Sequence, residues 1–427
     1  MVKTQLPVSA KEHHFSSGDF PFADILSPYV HKGLTAHSTL LVRSSAAVST
    51  SFRVALRGAE KICNAILAKA KEELSMPPAA FPYGLTEPQW SEYALSPHSY
   101  LPLSDHTYQV GLNYFNRFLH LDTRRAEACL LDPGVQDDFL STTNWFDAET
   151  DELWFASWSA QDTIRRNINP RENVSIRIWN LSLREDRLQQ VWQGDLGDSL
   201  HQLIVSPDKN FLVVAELGLR TQAPPAGPGL APSAVLILDL KTQQTWRLEL
   251  PAAAHVEFDP NDPAVCYLSG HNIGFVGPKV GIFGPGVIQK VRLTPEGPKL
   301  AGSFSHQSFH RITTHIVFNG QGKTRLAVSG YPGSIFLIDA YSMQLDCIID
   351  MDAEDKINPA CLPHVCTQDS YGICASQDGQ TLLVCETGRI RALDLRTNRF
   401  IRQDAIEDDC CFTGHIARIP NTAGWIS

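Results

Sequence analysis

From about residue 106 onward, short apolar runs alternate with short polar turns in a pattern that returns six times. FLHLDTRRAEACLLD from Phe118, IRIWNLSLREDRLQQVW from Ile176 and LILDLKTQQTWRLEL from Leu236 each read as two strands about a polar turn. So do VRLTPEGPKLAGSF from Val291, IFLIDAYSMQLDCIID from Ile335 and IRALDLRTNRFIRQD from Ile390. Five of these hairpins are preceded by a second pair: FDAETDELWFAS, VSPDKNFLVVAE, FDPNDPAVCYLS, FNGQGKTRLAVS and ASQDGQTLLVCE. Four strands therefore make one unit. The turn residues Asp147, Ser206, Asp259, Asn319 and Ser376 recur every 53 to 60 residues, a regular pitch for four-stranded sheets that carry loops.

Radial repetition of four-stranded sheets predicts an all-β fold, a β-propeller. The pattern opens with a hairpin over residues 106–132 that lacks its inner strand and closes with an inner-type strand, GHIARIP, that lacks its hairpin. Those halves are expected to join and close the ring. This counts six blades, or seven if STLLVRSSAAVSTSFRVAL from Ser38 supplies strands. The pitch exceeds that of WD repeats, and LDL and IDA stand where Trp-Asp would.

Residues 1–105 differ in kind. FRVALRGAEKICNAILAKAKEELS puts Leu56, Ala59, Ile62, Ile66, Leu67, Ala70 and Leu74 on one helical face before Pro77 and Pro78 stop it. Beyond it, PPAAFPYGLTEPQWSEYALSPHSYLPLSD reads as an irregular strap. The expected organisation is a packed helix and strap over 1–105, with a lid over a site as the alternative, and a propeller over 106–427.

Charge narrows the partners. Lys and Arg number 36 against 46 Asp and Glu, a formal charge of −10 that repels phosphate backbones and anionic headgroups. Neither nucleic acid nor membrane is an expected partner. No run of 18 apolar residues appears, and the first residues carry no secretory apolar stretch, so a cytoplasmic location is expected. Ten cysteines are scattered, several inside strand-like runs such as AVCYL and LLVCE, where they read as reduced core residues. The group Cys361, Cys366, Cys374, Cys410 and Cys411 lacks CxxC pairs.

One residue type recurs at one place in the unit. HVEFDP at His255, HIVFNG at His315 and HIARIP at His415 each reach Pro or Gly five positions on. Counting back equally in the other units gives Thr143, Gln202 and Gly372, with His201 available if a bulge shifts the register. First strands line a propeller's axis, so equal offset means equal height. Neutral imidazoles from several strands are suited to a transition metal at about 2.0–2.2 Å. Hydrogen bonding to neighbouring backbone or to water is the bland alternative.

Long connections share the face where these strands begin: SAQDTIRRNINPRE from Ser159, GLRTQAPPAGPGLAPS from Gly218 and GHNIGFVGPKVGIFGPG from Gly270. A pocket there would be bordered by Arg165, Arg166, Arg220, His271 and Phe275, with Gly274 to Gly286 as a flexible border.

With these histidines the chain resembles propellers that hold an axial metal: carotenoid-cleaving oxygenases with four histidines and Fe(II), and oligogalacturonate lyases with three histidines, a glutamine and a Mn-type ion. The ending HIARIPNTAGWIS is similar to that of selenium-binding proteins, copper-linked thiol oxidases. The resemblance implies His255, His315 and His415 as ligands, Gln202 on the lyase pattern and His201 as a fourth histidine. It implies Fe(II), Cu or Mn as cofactor and a small-molecule substrate undergoing oxidation, with elimination as the lyase alternative. Glu257, His271 and Tyr371 are the candidate acids or bases. Two other readings remain open: a metal-free lyase or hydrolase on the same face, and a propeller that binds a partner without chemistry.

Overall fold

The computed structural model describes residues 3–6, 39–43, 49–53, 59–75, 97–104, 106–112, 115–122, 127–168, 172–197, 200–216, 232–251, 255–270, 273–276, 279–282, 286–306, 311–331, 334–350, 372–386, 389–405, 416–418 and 425–426. All six expected hairpins are present, each as an antiparallel pair. The five preceding pairs form as well. The fold is an all-β propeller with six blades.

The blades follow chain order. Blade 1 contains Pro97–Pro102, Thr107–Leu112, Phe118–Asp122 and Glu127–Leu131, with Lys3–Leu6 added along the last of these. Blade 2 contains Asp138–Leu140, Trp145–Asp147, Glu152–Ser159, Val174–Ser182 and Arg187–Leu196. Blade 3 runs through Leu200–Val205, Phe211–Glu216, Pro232–Asp239 and Thr245–Pro251. Blade 4 comprises His255–Phe258, Val265–Ser269, Val287–Thr294 and Gly297–Ser305. Blade 5 comprises Arg311–Gly320, Lys323–Tyr331, Ser334–Asp339 and Gln344–Asp350, and blade 6 Ile373–Ala375, Thr381–Glu386, Arg389–Asp394 and Arg399–Ala405.

A further four-stranded sheet draws on both ends of the chain. Thr39–Arg43 pairs with Ser49–Arg53 on one side and with Trp425–Ile426 on the other, and Trp425–Ile426 pairs with Ala417–Arg418. The N-terminal run therefore does supply strands. The expected junction is corrected: the C-terminal strand does not join the 106–132 hairpin, whose sheet is completed by Pro97–Pro102 and Lys3–Leu6. The expected boundary at residue 105 falls between Pro97–Pro102 and Thr107–Leu112, which pair with each other.

The chain divides into two compact units: residues 1–22, 35–203 and 417–427, and residues 23–34 and 204–416. In the first, Phe118 and Leu131 of blade 1 pack with Leu140, Leu153, Phe155 and Leu181 of blade 2. Helix α1, Ala59–Glu73, buries Ile66, Leu67 and Ala70 of the face that the apolar spacing predicts, and Cys63 beside them. It packs against a second helix, α2, Ala160–Ile168, with Gln161 Nε2 donating to Glu73 Oε2 at 3.0 Å. Helix α2 lies inside the segment expected to be a loop. Ser159 Oγ accepts the Asp162 N–H at 3.1 Å, and Asp162 places negative charge in the first turn.

In the second unit, strands read as unbroken apolar runs because both of their faces are covered. Within Ser334–Asp339, Ile335 and Leu337 join Ile373, Leu382 and Val384 of blade 6, whereas Phe336 and Ile338 join Val265, Tyr267 and Ile288 of blade 4. The other face of blade 4, with Val256, Cys266, Leu268 and Val291, packs on Val213, Val235 and Ile237 of blade 3.

Turns and edges repeat too. Ser206 Oγ accepts the Phe211 N–H at 2.9 Å and donates to Asp208 at 2.6 Å, and Ser376 does the same with Thr381 and Asp378 at 2.9 and 2.6 Å. The outermost strands of blades 2, 4, 5 and 6 each carry one extra residue: Val191, Ala301, Asp346 and Ile401. Such bulges interrupt an outer ladder that would otherwise invite another strand.

Gly379 has φ +64°, and an added Cβ would strike the Asn319 carbonyl of blade 5, whereas a Cβ at Gly322, with φ +81°, meets open space. Gly322→Ala should cost about 1 kcal/mol through backbone strain alone. Gly379→Ala should cost about 2 kcal/mol or more beyond that, because two blades must part locally. Urea unfolding of the two variants checks the difference.

Candidate functional site

Two of the recurrent histidines lie in first strands. His255 opens the strand His255–Phe258 and is 5% exposed; His315, in Arg311–Gly320, is 1% exposed. Their rings meet edge to face with 6.4 Å between centroids. Two of the three predicted ligands are thus neighbours across blades 4 and 5. His415, His271 and Tyr371 lie outside the described residues, as does Arg220.

The surroundings of His315 define its chemistry. Nε2 lies 3.2 Å from the Tyr267 carbonyl oxygen, which can only accept, so Nε2 carries the proton. Nδ1 therefore holds the lone pair, and it accepts from the Ser269 hydroxyl at 2.7 Å. Both ring nitrogens are committed to blade 4. Burial holds the pKa down at about 4, against the opposing effect of the Tyr267 carbonyl. A neutral imidazole whose lone pair already takes a hydroxyl proton does not fit a metal ligand in this rotamer. Among the described residues, no group of three or more His, Cys, Asp or Glu is arranged to hold a metal ion.

The residues that make this environment were not candidates from sequence. Ser269 ends the apolar run VCYLS, and its Cα is the cross-strand partner of His255. Tyr267 reaches Asp259 Oδ2 at 2.9 Å and the Ala340 carbonyl at 3.0 Å, the latter in blade 5. Burial, and then the Asp259 charge, push its phenol well above the ordinary range, so it stays a donor. On the turn side, Asn261 Nδ2 of blade 4 donates to Asn319 Oδ1 and Thr324 Oγ1 of blade 5 at 2.8 and 2.7 Å. The sequence signal was available: a polar residue closes the second strand in VCYLS, FLVVAE and LLVCE and follows the apolar run in LAVS.

Elsewhere the same offset also serves inter-strand bonding. Thr143 Oγ1 accepts the Leu203 N–H at 2.7 Å, and Thr142 Oγ1 donates to the His201 carbonyl at 2.8 Å. His201 is 4% exposed and Gln202 is half-buried. Gly372, buried, accepts the Cys385 N–H at 2.8 Å. Glu257 is half-buried, opposite Tyr267 in register.

The expected pocket border changes in part. Arg165 is exposed and pairs with Asp162 at 3.3 Å on its own helix. The glycine-rich segment expected as a flexible border contains a two-stranded ribbon, Ile273–Val276 with Lys279–Ile282, in which Phe275 opposes Val280. Gly274 and Gly281 stand opposite one another in this ribbon.

No known protein-family model matches the chain, and no curated protein matches it. Among solved structures, the chain is similar to one in the crystal structure of a mitotic checkpoint complex, with a TM-score of 0.40 and 10% identity. The match covers 59% of this chain and 65% of that one. No helix among the described residues is long and apolar enough to cross a membrane.

The His315 environment has a pH consequence. Above about pH 6.5 the ring is neutral folded and unfolded alike. As pH falls below that value the unfolded chain binds a proton that the folded chain refuses until about pH 4. Stability should therefore drop across this window by about 3 kcal/mol from this group. Urea midpoints measured from pH 7 to pH 4 should show this component in the wild type and lose it in His315→Gln.

Proposed function

We propose that this protein is a non-catalytic β-propeller that holds a protein partner, and that His315 is a hydrogen-bonding latch between blades 4 and 5. The observation that carries this reading is the double engagement of His315, with Nε2 on the Tyr267 carbonyl and Nδ1 on the Ser269 hydroxyl. An imidazole used up in this way holds two sheets in register and offers no lone pair to a substrate or ion. A rigid scaffold with its polar seam turned inward leaves recognition to the connections between strands.

A second reading has one observation in its favour. The 6.4 Å approach of the His255 and His315 rings brings two imidazoles from different blades together, as a site for Fe(II), Cu or Mn would. On that reading the protein is a metal-dependent oxidase, oxygenase or lyase acting on a small molecule, and His315 must exchange Ser269 for the ion.

Elemental analysis of protein purified without chelator separates the two. The latch reading expects less than about 0.1 equivalent of Fe, Cu or Mn per chain and an unfolding midpoint that chelator leaves unchanged. It also expects His315→Ala to lower stability by about 2 kcal/mol or more, since Ser269 and the Tyr267 carbonyl lose a buried partner. Near-stoichiometric metal that disappears with His315→Ala would overturn it in favour of the enzyme.

A further inference from the structure

We infer that Thr245–Pro251, the outermost strand of blade 3, pairs antiparallel with the same strand of a second copy of this chain, about a two-fold axis at Leu248. This goes beyond the latch reading and does not depend on it. The outer edges of blades 2, 4, 5 and 6 are interrupted by bulges. In blade 1, Glu127–Leu131 pairs with Phe118–Asp122 without a bulge, and Lys3–Leu6 adds to it as a further antiparallel strand. Thr245–Pro251 likewise pairs without a bulge, and among the described residues it ends its sheet. The other unbulged edge has accepted a strand, and this one has the same regular ladder to offer.

The direction of each peptide group along this edge is fixed. The Asp239 N–H donates to the Gln244 carbonyl at 2.9 Å, whereas the Ala234 N–H turns the other way, to Glu216 Oε2 at 2.7 Å. Alternation along Pro232–Asp239 then directs the peptide groups of Trp246 and Leu248 inward and those of Thr245, Arg247 and Glu249 outward. Pro251 follows the same alternation, so its missing N–H costs the sheet no bond. Side chains alternate as well: Thr245, Arg247 and Glu249 are exposed, while Trp246 and Leu248 are half-buried against the core between blades 3 and 4.

Charge selects both the occupant and the register. With Leu248 opposite Leu248 of the second copy, Arg247 of each chain stands opposite Glu249 of the other, and these two residues exchange both main-chain bonds. Sliding the strands by two residues, the smallest step that keeps the outward groups opposed, would set Arg247 against Arg247 or Glu249 against Glu249. Arg247 keeps its contact with Glu216, 3.9 Å away, because a guanidinium carries donors enough for both carboxylates. The two-fold axis closes the pairing at two copies, so no fibre follows.

Sedimentation equilibrium of the full chain, together with backbone hydrogen exchange, tests the pairing. Wild type should show a reversible monomer–dimer equilibrium. Amide protection at Thr245 and Glu249 should rise with protein concentration, while Trp246 and Leu248 stay protected throughout. Glu249→Lys, at an exposed position, should weaken association about tenfold or more by setting like charges opposite one another. Glu249→Pro, which removes an outward N–H and leaves the inner ladder intact, should weaken it too. A wild type that stays monomeric at about 100 μM overturns the inference and leaves the edge to a strand of a different protein. A dimer indifferent to both variants, or one without concentration-dependent protection at Thr245 and Glu249, overturns it as well. None of these outcomes touches the metal content or the His315 variant on which the latch reading stands.

Discussion

Sheet-on-sheet burial of strands that are apolar on both faces is the constraint on which the rest of the structure depends. A blade such as Ser334–Asp339 with its neighbours cannot be stable alone, because Ile335 and Leu337 point one way and Phe336 and Ile338 the other. Each needs a sheet on either side, and the repeat supplies one. The burial is non-directional, however, so it brings sheets together without fixing their register. Directional contacts between blades must do that.

The polar seam of the second unit has this directionality. Tyr267 spans from Asp259 to the Ala340 carbonyl, Asn261 spans to Asn319 and Thr324, and His315 spans back to Ser269 and Tyr267. Tyr267 and His315 are buried groups whose cost of desolvation is offset only when the next blade sits in one position. The same low-dielectric surroundings that make these bonds strong keep the His315 imidazole neutral. Packing, register and the chemistry of the His315 ring are thus one physical problem.

Against this background the bulges and turn residues fall into place. Outer strands have only one neighbour in their own sheet, and the extra residues Val191, Ala301, Asp346 and Ile401 interrupt four of those edges. Ile401, the extra residue of its bulge, is 62% exposed. The Ser-x-Asp turns at Ser206 and Ser376 satisfy their own backbone groups, so first and second strands enter the sheet in fixed register.

The sequence by itself determined the strands, their pairing into hairpins, the repeat and the amphipathic face of helix α1, because these depend on residues close together in the chain: apolar runs, polar turns and helical spacing. It also marked the offset at which His255 and His315 stand. Tertiary structure alone decided what lies opposite them. Ser269 and Tyr267 reach His315 across some 46 and 48 residues, and whether a ring nitrogen meets a hydroxyl, a carbonyl or an ion is set by the next blade's position. The ends of the chain tell the same story: the composition of residues 39–53 shows strands, yet that they pair beside Trp425–Ile426 instead of extending the 106–132 hairpin is a choice among edges that local pattern does not encode.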